Sequence, residues 1–272
     1  MKNRVIFLHY HIFKNAGSTI EWILRKNFAD YFNIIHEQTD RGTLYAEEII
    51  KYVTDHPEVN ALSSHHFRYP RPDIFGFRFI DICFLRHPLD RLQSMYLHYK
   101  RDSEDTEKSI RAKTMALAEW LKWLLETEPY NSMNPQTCFM ALGGSYFFPP
   151  TNSHLATAIK RVSEVRFLGL VDRFDESLAT AEFFLRPIFP KLDLSYIAQN
   201  VSESWKAGLI EKLEKMKSEC GESFFDRLSK LNEIDERLWR YATAELERRL
   251  QYVPNIEQKC NEVNVNPNMR LS

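Results

Sequence analysis

Short apolar segments alternate with longer stretches of helical periodicity over the first two thirds of the chain. The apolar segments cover residues 5–10, 59–63, 79–85 and 166–171. Each has the length and the β-branched or aromatic content of a buried strand. Strands separated by helices in this way form βαβ units around a parallel sheet. The pattern predicts an α/β fold, with a parallel β-sheet flanked by helices on both faces.

After residue 175 the periodicity is that of helices. Apolar residues recur every three or four positions in two sets: Leu209, Leu213 and Met216, then Ile234, Leu238, Tyr241 and Leu246. This spacing places each set on one helix face. A coiled coil is the alternative, but the pattern breaks at Gly221 before several heptads accumulate. We expect a helical C-terminal half within a single domain over residues 1–253, followed by a polar tail over residues 254–272.

The charges nearly cancel, with 36 Lys and Arg residues against 37 Asp and Glu residues. No overall field therefore attracts nucleic acid or an anionic membrane, and an anion site has to be local. The four cysteines lack paired short spacings, which argues against a disulfide framework and a zinc site. The sequence shows neither a signal-peptide pattern nor an apolar stretch that could span a bilayer. We expect a cytoplasmic protein.

The first predicted strand runs into a turn of small residues and then into a helix. This candidate phosphate loop contains Lys14, Asn15, Ala16, Gly17, Ser18 and Thr19. Unpaired N–H groups at a helix N-terminus bind anions, and the small residues at its centre allow a phosphate to approach closely. In a nucleoside-triphosphate loop the lysine follows the glycine, whereas here it precedes it. A kinase-type loop is therefore disfavoured, and a tight turn with a solvated lysine is the structural alternative.

A second candidate anion site follows the strand at residues 79–85. Arg86 stands at the strand end, Pro88 suits a first helical turn, and Ser94 lies two turns into the helix. An arginine and a serine placed in this way can bind one phosphate at a crevice between parallel strands. Taken singly, Arg86 could be a strand-end ion-pair residue and Ser94 a helix-surface residue.

The two motifs together resemble those of the sulfotransferases that use 3′-phosphoadenosine 5′-phosphosulfate (PAPS). Residues 14–19 are similar to the 5′-phosphosulfate loop of the carbohydrate-type branch, the heparan sulfate and chondroitin enzymes, although Phe13 and Asn15 replace its usual proline and threonine. Arg86 and Ser94 match its 3′-phosphate site, and residues 169–177 and 235–239 are similar to late segments of that branch. The resemblance implies PAPS as donor, 3′,5′-bisphosphoadenosine (PAP) as product, and no metal.

Sulfuryl transfer needs a base for the acceptor proton and positive charge beside the departing oxygen. Lys14 is placed for the second role. The base is sought at His65 and His66, and the Gly-His-Phe arrangement of the relatives favours His66, which precedes Phe67. Adjacent strand residues face opposite ways, so only one histidine is expected to reach the acceptor. The other candidates are His36, Glu37 and Asp40.

The sequence thus predicts an enzyme that moves a sulfuryl group from PAPS to an acceptor hydroxyl or amine. The acceptor, a glycan or another small molecule with a hydroxyl group, is not identified by the sequence. In the family, late loops cover the nucleotide, a role for which Asn200, Ser202 and Lys206 are candidates. Two alternatives stay open: a nucleotide kinase or phosphotransferase with a diverged loop, and a non-catalytic module that binds PAP.

Overall fold

The computed structural model describes residues 3–36, 42–141, 149–197 and 208–264. Its sheet has five strands, all parallel, in the order β2-β3-β1-β4-β5. The strands are β1 (Arg4–Tyr10), β2 (Phe32–Ile34), β3 (Ala61–Ser64), β4 (Phe77–Leu85) and β5 (Phe167–Leu170). The α/β fold class and the four strands predicted from the apolar segments are confirmed.

Helices cover both faces of this sheet and make up most of the chain after β4. In chain order they are α1 (Gly17–Phe28), α2 (Ala46–Asp55), α3 (Pro88–Arg101), α4 (Glu107–Thr114), α5 (Leu117–Thr127), α6 (Pro129–Ser132), α7 (Pro135–Ala141), α8 (Asn152–Glu164), α9 (Phe174–Leu185), α10 (Leu209–Cys220), α11 (Glu222–Leu231), α12 (Glu233–Leu250) and α13 (Ile256–Val263). The helical C-terminal half is confirmed, and α10 ends where Gly221 adopts a φ of 79°. Within the described ranges, no helix is both long and apolar enough to cross a membrane.

The two faces of β1 belong to different parts of the core. Leu8 and Tyr10 point to the side covered by α8 and α12. Phe7 points to the opposite side and packs with Ile20 and Leu24 of α1. His9 and His11 follow Phe7 at intervals of two, so the alternation of a strand directs them to the α1 side as well.

The centre of the sheet contains the crevice that the fold offers for a ligand. From β1 the chain leads through α1 to β2 and β3 on one side, and it then crosses to β4 on the other side of β1. Where successive connections diverge in this way, the carboxyl ends of the parallel strands leave a crevice. The β1–α1 loop (residues 11–16) and the β4–α3 loop (residues 86–87) end side by side there.

The C-terminal segment departs from expectation. Residues 256–263 form α13, which packs against α9, and Val263 is 1% exposed within the apolar cluster on the α1 side of the sheet. Tyr196 N donates to the carbonyl of Val263. Residues 256–263 of the expected polar tail therefore form a packed helix, because one buried valine and a backbone hydrogen bond hold a segment whose composition is otherwise polar. Residues 265–272 lie outside the described ranges.

Candidate active site

The β1–α1 loop has the backbone of an anion-binding turn. Lys14 and Ala16 adopt left-handed conformations, with φ values of 67° and 62°, each of which costs about 1–2 kcal/mol for a residue with a side chain. In the described part of the chain the N–H groups of Ala16, Gly17 and Ser18 have no acceptor. A strained loop that presents unpaired N–H groups at the start of α1 is preorganised for a phosphate-like group.

Gly17 is required here by a close approach. A Cβ atom added to Gly17 would lie 1.6 Å from Nε2 of His11, far inside van der Waals contact. The imidazole of His11 therefore packs directly against the first residue of α1. Any larger residue at position 17 would have to displace this ring.

Lys14 carries the loop's positive charge. Desolvation lowers the pKa of its ammonium to about 8, and the charges of Arg86, Arg101 and Arg91 act in the same direction. Its Nζ lies 5.6 Å from the centre of the Phe13 ring. An ammonium crowded by other cations is stabilised when an anion binds beside it.

Arg86 joins this loop to the end of β4. Its Nη1 donates to the carbonyl oxygen of Lys14 at 3.0 Å, while Nε and Nη2 donate to the carboxylate of Asp90 at 2.6 Å and 3.0 Å. Burial by itself would raise the pKa of Asp90, but the guanidinium outweighs it and the pKa lies below its ordinary value. These bonds use three of the five N–H groups of an arginine, and two are left for a ligand.

A hydrogen bond joins Arg86 to Lys14, whereas no hydrogen bond within the described residues links Ser94 to either of them. Ser94 is half-buried on α3, and its hydroxyl forms no hydrogen bond within the described residues. Arg91, between Arg86 and Ser94, has a structural role that sequence reasoning missed. It donates to the carbonyls of Phe13 and Asn131 at 3.0 Å each and so ties α3 to the loop.

The two adjacent histidines after β3 diverge, as strand alternation predicts. The ring of His65 lies 3.8 Å from that of His11 and 6.4 Å from that of Phe13, centre to centre, and its Nδ1 bonds the carbonyl of His11 at 2.8 Å. Nδ1 of His66 instead bonds the carbonyl of Gly42 at 3.1 Å. His65 thus lies on the side of the β1–α1 loop and His66 on the side of residue 42.

The electronic state of His65 suits a base. Because a carbonyl oxygen only accepts, Nδ1 of His65 carries the hydrogen and Nε2 carries the lone pair. Desolvation and the neighbouring His11 lower the pKa of His65 to about 4, although the residue as a whole is exposed to solvent. His65 is therefore neutral at physiological pH. His36 is exposed at the end of β2, and Glu37 and Asp40 lie outside the described residues.

A buried polar cluster beneath His65 was missed by sequence reasoning. Glu21 of α1 accepts hydrogen bonds from Ser63 Oγ at 2.7 Å and from His11 Nδ1 at 2.9 Å, and Ser63 Oγ also bonds His9 Nδ1 at 2.8 Å. The ligand-type atoms of His9, His11 and Glu21 lie within 4.8 Å of one another, as in some metal centres. Ser63 links two of these residues and accounts for their hydrogen bonds, so we interpret the cluster as a hydrogen-bonded network. Histidines two residues apart at the end of β1 were its only sequence signal.

A second network fastens the same loop from the helical half. Nδ2 of buried Asn15 donates to the carbonyl of Phe84 and to Oε1 of Gln136, both at 2.8 Å. The Gln136 side chain also pairs with the backbone of Arg86, accepting from its N–H at 3.0 Å and donating to its carbonyl at 2.8 Å. One side chain of α7 therefore contacts both loops of the crevice.

Gln136 is held in turn by Asp235 at the start of α12. The Asp235 carboxylate accepts from the N–H groups of Gln136 and Thr137 at 3.0 Å and 2.7 Å, which caps α7. In return, Oδ1 of Asn134, the residue before α7, caps α12 by accepting from Asp235 N at 2.9 Å. The N-termini of the two helices thus cap each other.

The late segments at residues 169–177 and 235–239 meet in space. Nε1 of Trp239 donates to the carboxylate of Asp172 at 3.1 Å, and Ser177 Oγ accepts from the N–H of Leu170 at 2.9 Å at the end of β5. Both segments have clear structural roles. Asn200, Ser202 and Lys206 lie outside the described residues.

Comparison with known proteins agrees with this arrangement of a central β1–α1 loop, a basic strand end and a parallel sheet. The model of the sulfotransferase family matches residues 1–242. The chain therefore belongs to the sulfotransferase family. A protein of Archaeoglobus fulgidus described as uncharacterized is 33% identical over 248 residues, which cover 87% of this chain and 95% of that protein.

Proposed function

We propose that the protein is a PAPS-dependent sulfotransferase that transfers the sulfuryl group to an acceptor hydroxyl or amine. The observation that carries the proposal is the hydrogen bond from Arg86 to the carbonyl of Lys14. This bond holds the Arg86 guanidinium, the cation of the candidate 3′-phosphate site, against the β1–α1 loop, which is the candidate 5′-phosphosulfate site. A donor with phosphate groups at both the 5′ and the 3′ position matches such a pair of sites, whereas ATP lacks the 3′ group.

The residues divide between the two ends of the nucleotide. The N–H groups of Ala16, Gly17 and Ser18, with the Lys14 ammonium, bind the 5′-phosphosulfate, and Thr19 supports the turn through its N–H bond to Ala16 O. Asn15 holds the loop through its buried bonds to Phe84 and Gln136. The free N–H groups of Arg86, together with the Ser94 hydroxyl, bind the 3′-phosphate.

The chemistry is an in-line displacement at sulfur. A bond forms between the acceptor oxygen or nitrogen and sulfur, while the bond from sulfur to the bridging oxygen breaks and that oxygen leaves with PAP. The acceptor proton moves to Nε2 of the base, and the Lys14 ammonium stabilises the negative charge on the bridging oxygen. No step of this scheme calls for a metal ion.

We assign the base to His65. Its ring shares the α1 side of the sheet with the β1–α1 loop and adjoins Phe13, next to Lys14, whereas His66 bonds to Gly42. The family resemblance favours His66 by its place before Phe67. Single variants of His65 and of His66 distinguish the two assignments.

Ligand-dependent melting and a donor assay test the function. PAP should raise the melting temperature much more than AMP or ATP, by an amount equivalent to about 2.7 kcal/mol at a hundredfold excess over its Kd. Labelled PAPS should pass its sulfuryl group to a member of a panel of glycans, phenols, alcohols and amines. Equal stabilisation by ATP and PAP with magnesium-dependent ATP turnover would make the protein a phosphotransferase. PAP binding without transfer across the panel would make it a binding module.

The same proposal includes a cytoplasmic location. None of the four cysteines, Cys83, Cys138, Cys220 and Cys260, forms a disulfide. A reducing compartment is where cysteines without disulfides are most common. Fractionation of the host cell would test this, and recovery of the protein with membranes or outside the cell would contradict it.

A further inference from the structure

Glu21 is a half-buried carboxylate that the scheme above does not use. It lies one turn into α1, and its hydrogen-bond donors are His11, the first residue after β1, and Ser63 of β3. Burial would raise its pKa, but the bonds from His11 and Ser63 outweigh that effect and the pKa lies below the ordinary value. Glu21 is therefore an anion at neutral pH.

The hydrogen bonds of this cluster have only one consistent direction. An ionised carboxylate only accepts, so Ser63 Oγ–H and His11 Nδ1–H both donate to Glu21. Because the hydroxyl hydrogen of Ser63 is used in the bond to Glu21, Ser63 Oγ accepts the hydrogen bond from Nδ1–H of His9. Glu21 thus fixes the tautomer of His11 and locks its ring.

Two contacts link the fixed ring and backbone of His11 to His65. The carbonyl of His11 accepts the Nδ1–H of His65 at 2.8 Å, and the ring of His11 stacks on the ring of His65 at 3.8 Å. Nε2 of the His11 ring lies against Gly17 at the start of α1. One imidazole, held by Glu21, therefore contacts both His65 and the first residue of the helix that follows the loop assigned to the phosphosulfate.

We propose that Glu21 is a positioning residue for sulfuryl transfer, which acts through His11 to aim the Nε2 lone pair of His65 and to compensate the charge of the imidazolium that forms there. This inference rests on the proposed function and on His65 as its base. Glu21 takes up no proton from His65, because the Nδ1–H of His65 goes to a backbone carbonyl. Its effect is orientation and charge, the role that outer partners have around other reactive imidazoles.

The charged and titratable groups around His65 agree with this role. His11 and His66 lower its pKa, whereas Glu21 raises it, and buried His9, whose own pKa lies well below 6.5 because of desolvation and the same neighbours, stays neutral. Lys14 lies beyond Phe13 on the other side. Glu21 is the one anion among the described groups that act on His65.

The test compares Glu21→Gln with Glu47→Gln, an exposed control in the first turn of α2. In single-turnover assays with PAPS and a competent acceptor, Glu21→Gln should lower the rate about 10–100-fold, with PAP affinity within about twofold of wild type, and Glu47→Gln should change neither. In a His65→Ala background, Glu21→Gln should have no further effect on the rate, since it acts through the missing ring. An equal loss in both backgrounds would overturn the proposal.

A second measurement needs no turnover, and its first part needs no variant. Imidazole NMR of the wild-type protein should show His65 as the Nδ1–H tautomer at pH 7, and in Glu21→Gln its titration should move to lower pH. An Nε2–H tautomer in the wild type, or an unmoved titration, would overturn the inference while leaving PAPS dependence intact.

Loss of wild-type activity in a chelator with recovery on adding Zn²⁺ would also overturn the inference, because the cluster would then bind a metal. Failure of wild type to use PAPS would instead refute the proposed function.

Discussion

The guanidinium of Arg86 donates to the backbone carbonyl of Lys14 at 3.0 Å, so the ends of β1 and β4 are already joined before a nucleotide binds. The bidentate pair with Asp90 fixes the plane of the guanidinium. A ligand that contacts both loops therefore meets a site whose main cations need little rearrangement. Such preorganisation lowers the entropic cost of binding.

Removal of Arg86 should weaken nucleotide binding chiefly at the 3′ end, besides removing the bond to the Lys14 carbonyl. Loss of a charged hydrogen bond costs about 1.5–3 kcal/mol, so Arg86→Ala should weaken PAP binding about 10–150-fold by calorimetry. Binding of AMP, which has no 3′-phosphate, should change little. Equal losses for the two nucleotides would show that Arg86 supports the loop rather than the phosphate.

Lys14 should matter chiefly in the transition state. We expect Lys14→Ala to lower turnover by about 10²–10³, the effect of losing one donor to a developing negative charge. The fold should survive, because Lys14 is only half-buried and its ammonium forms no ion pair among the described residues. Wild-type turnover in a folded variant would contradict the assignment.

The lowered pKa of Lys14 makes PAP binding depend on pH in the alkaline range. With a pKa of about 8 in the free protein, the ammonium is present below that pH and is lost above it. PAP affinity should thus be nearly constant up to about pH 7, fall by about twofold at pH 8, and then fall by up to about tenfold per pH unit as the pH rises further. Lys14→Arg, which stays charged, should bind PAP without that decline. The same decline in Lys14→Arg would assign the titration to another group.

His65 and His66 can be separated by single-turnover rates. His65→Ala should lower the rate about 10²–10⁴ with little change in PAP affinity, since the base contacts the acceptor. His66→Ala should mainly affect stability, because its ring supports residue 42. The reverse result would restore the assignment to His66, and activity in both variants would direct the search to His36, Glu37 and Asp40.

The pH dependence of the wild-type rate gives an independent check on the base. A neutral imidazole is required, and with a pKa of about 4 for His65 kcat/KM should stay level from pH 7 to 5 and fall only below that. The anionic donor raises the pKa of a nearby imidazole, so the acid limb of kcat should lie at higher pH than that of kcat/KM. A kcat/KM limb near pH 6.5 would indicate an unperturbed histidine.

Gln136 should couple the two loops. Gln136→Leu removes one of the two acceptors of Asn15 Nδ2 and both side-chain partners of the Arg86 backbone, at a cost of about 1–3 kcal/mol for each unsatisfied group. We expect a lower melting temperature and weaker binding of PAP and of AMP, unlike the selective effect of Arg86→Ala. Gln251→Leu, in an exposed turn after α12, is the control. Unchanged nucleotide binding in Gln136→Leu would show that the contacts are only structural.

Local patterns in the sequence account for the parts of the site that lie close together along the chain. The sequence predicts the turn at residues 14–19 and the strand end at Arg86, because each motif lies at a single strand–helix junction. The divergence of His65 and His66 was predictable from strand alternation, but the side that faces the loop depends on β3 lying beside β1, where Ser63 pairs with His9. No local sequence pattern indicates that β3 lies beside β1.

The supporting networks were out of reach for the same physical reason. Gln136 and Asp235 are 99 residues apart in sequence, and each is an unremarkable polar residue until the N-termini of α7 and α12 meet. Helix α13 was missed because its composition is polar and its packing rests on Val263. Such contacts are set by the tertiary fold, which overrides local preference.

The close contact between Gly17 and His11 has a consequence for how the sequence can change. The two positions share one volume, so a side chain can occupy it from the loop or from the helix but not from both. In a library that randomises both positions, a residue larger than glycine at 17 should survive only with a small residue at 11. Such a variant would retain the loop but lose the ring that supports His65. A change at position 17 should therefore lower the catalytic rate rather than the folding stability.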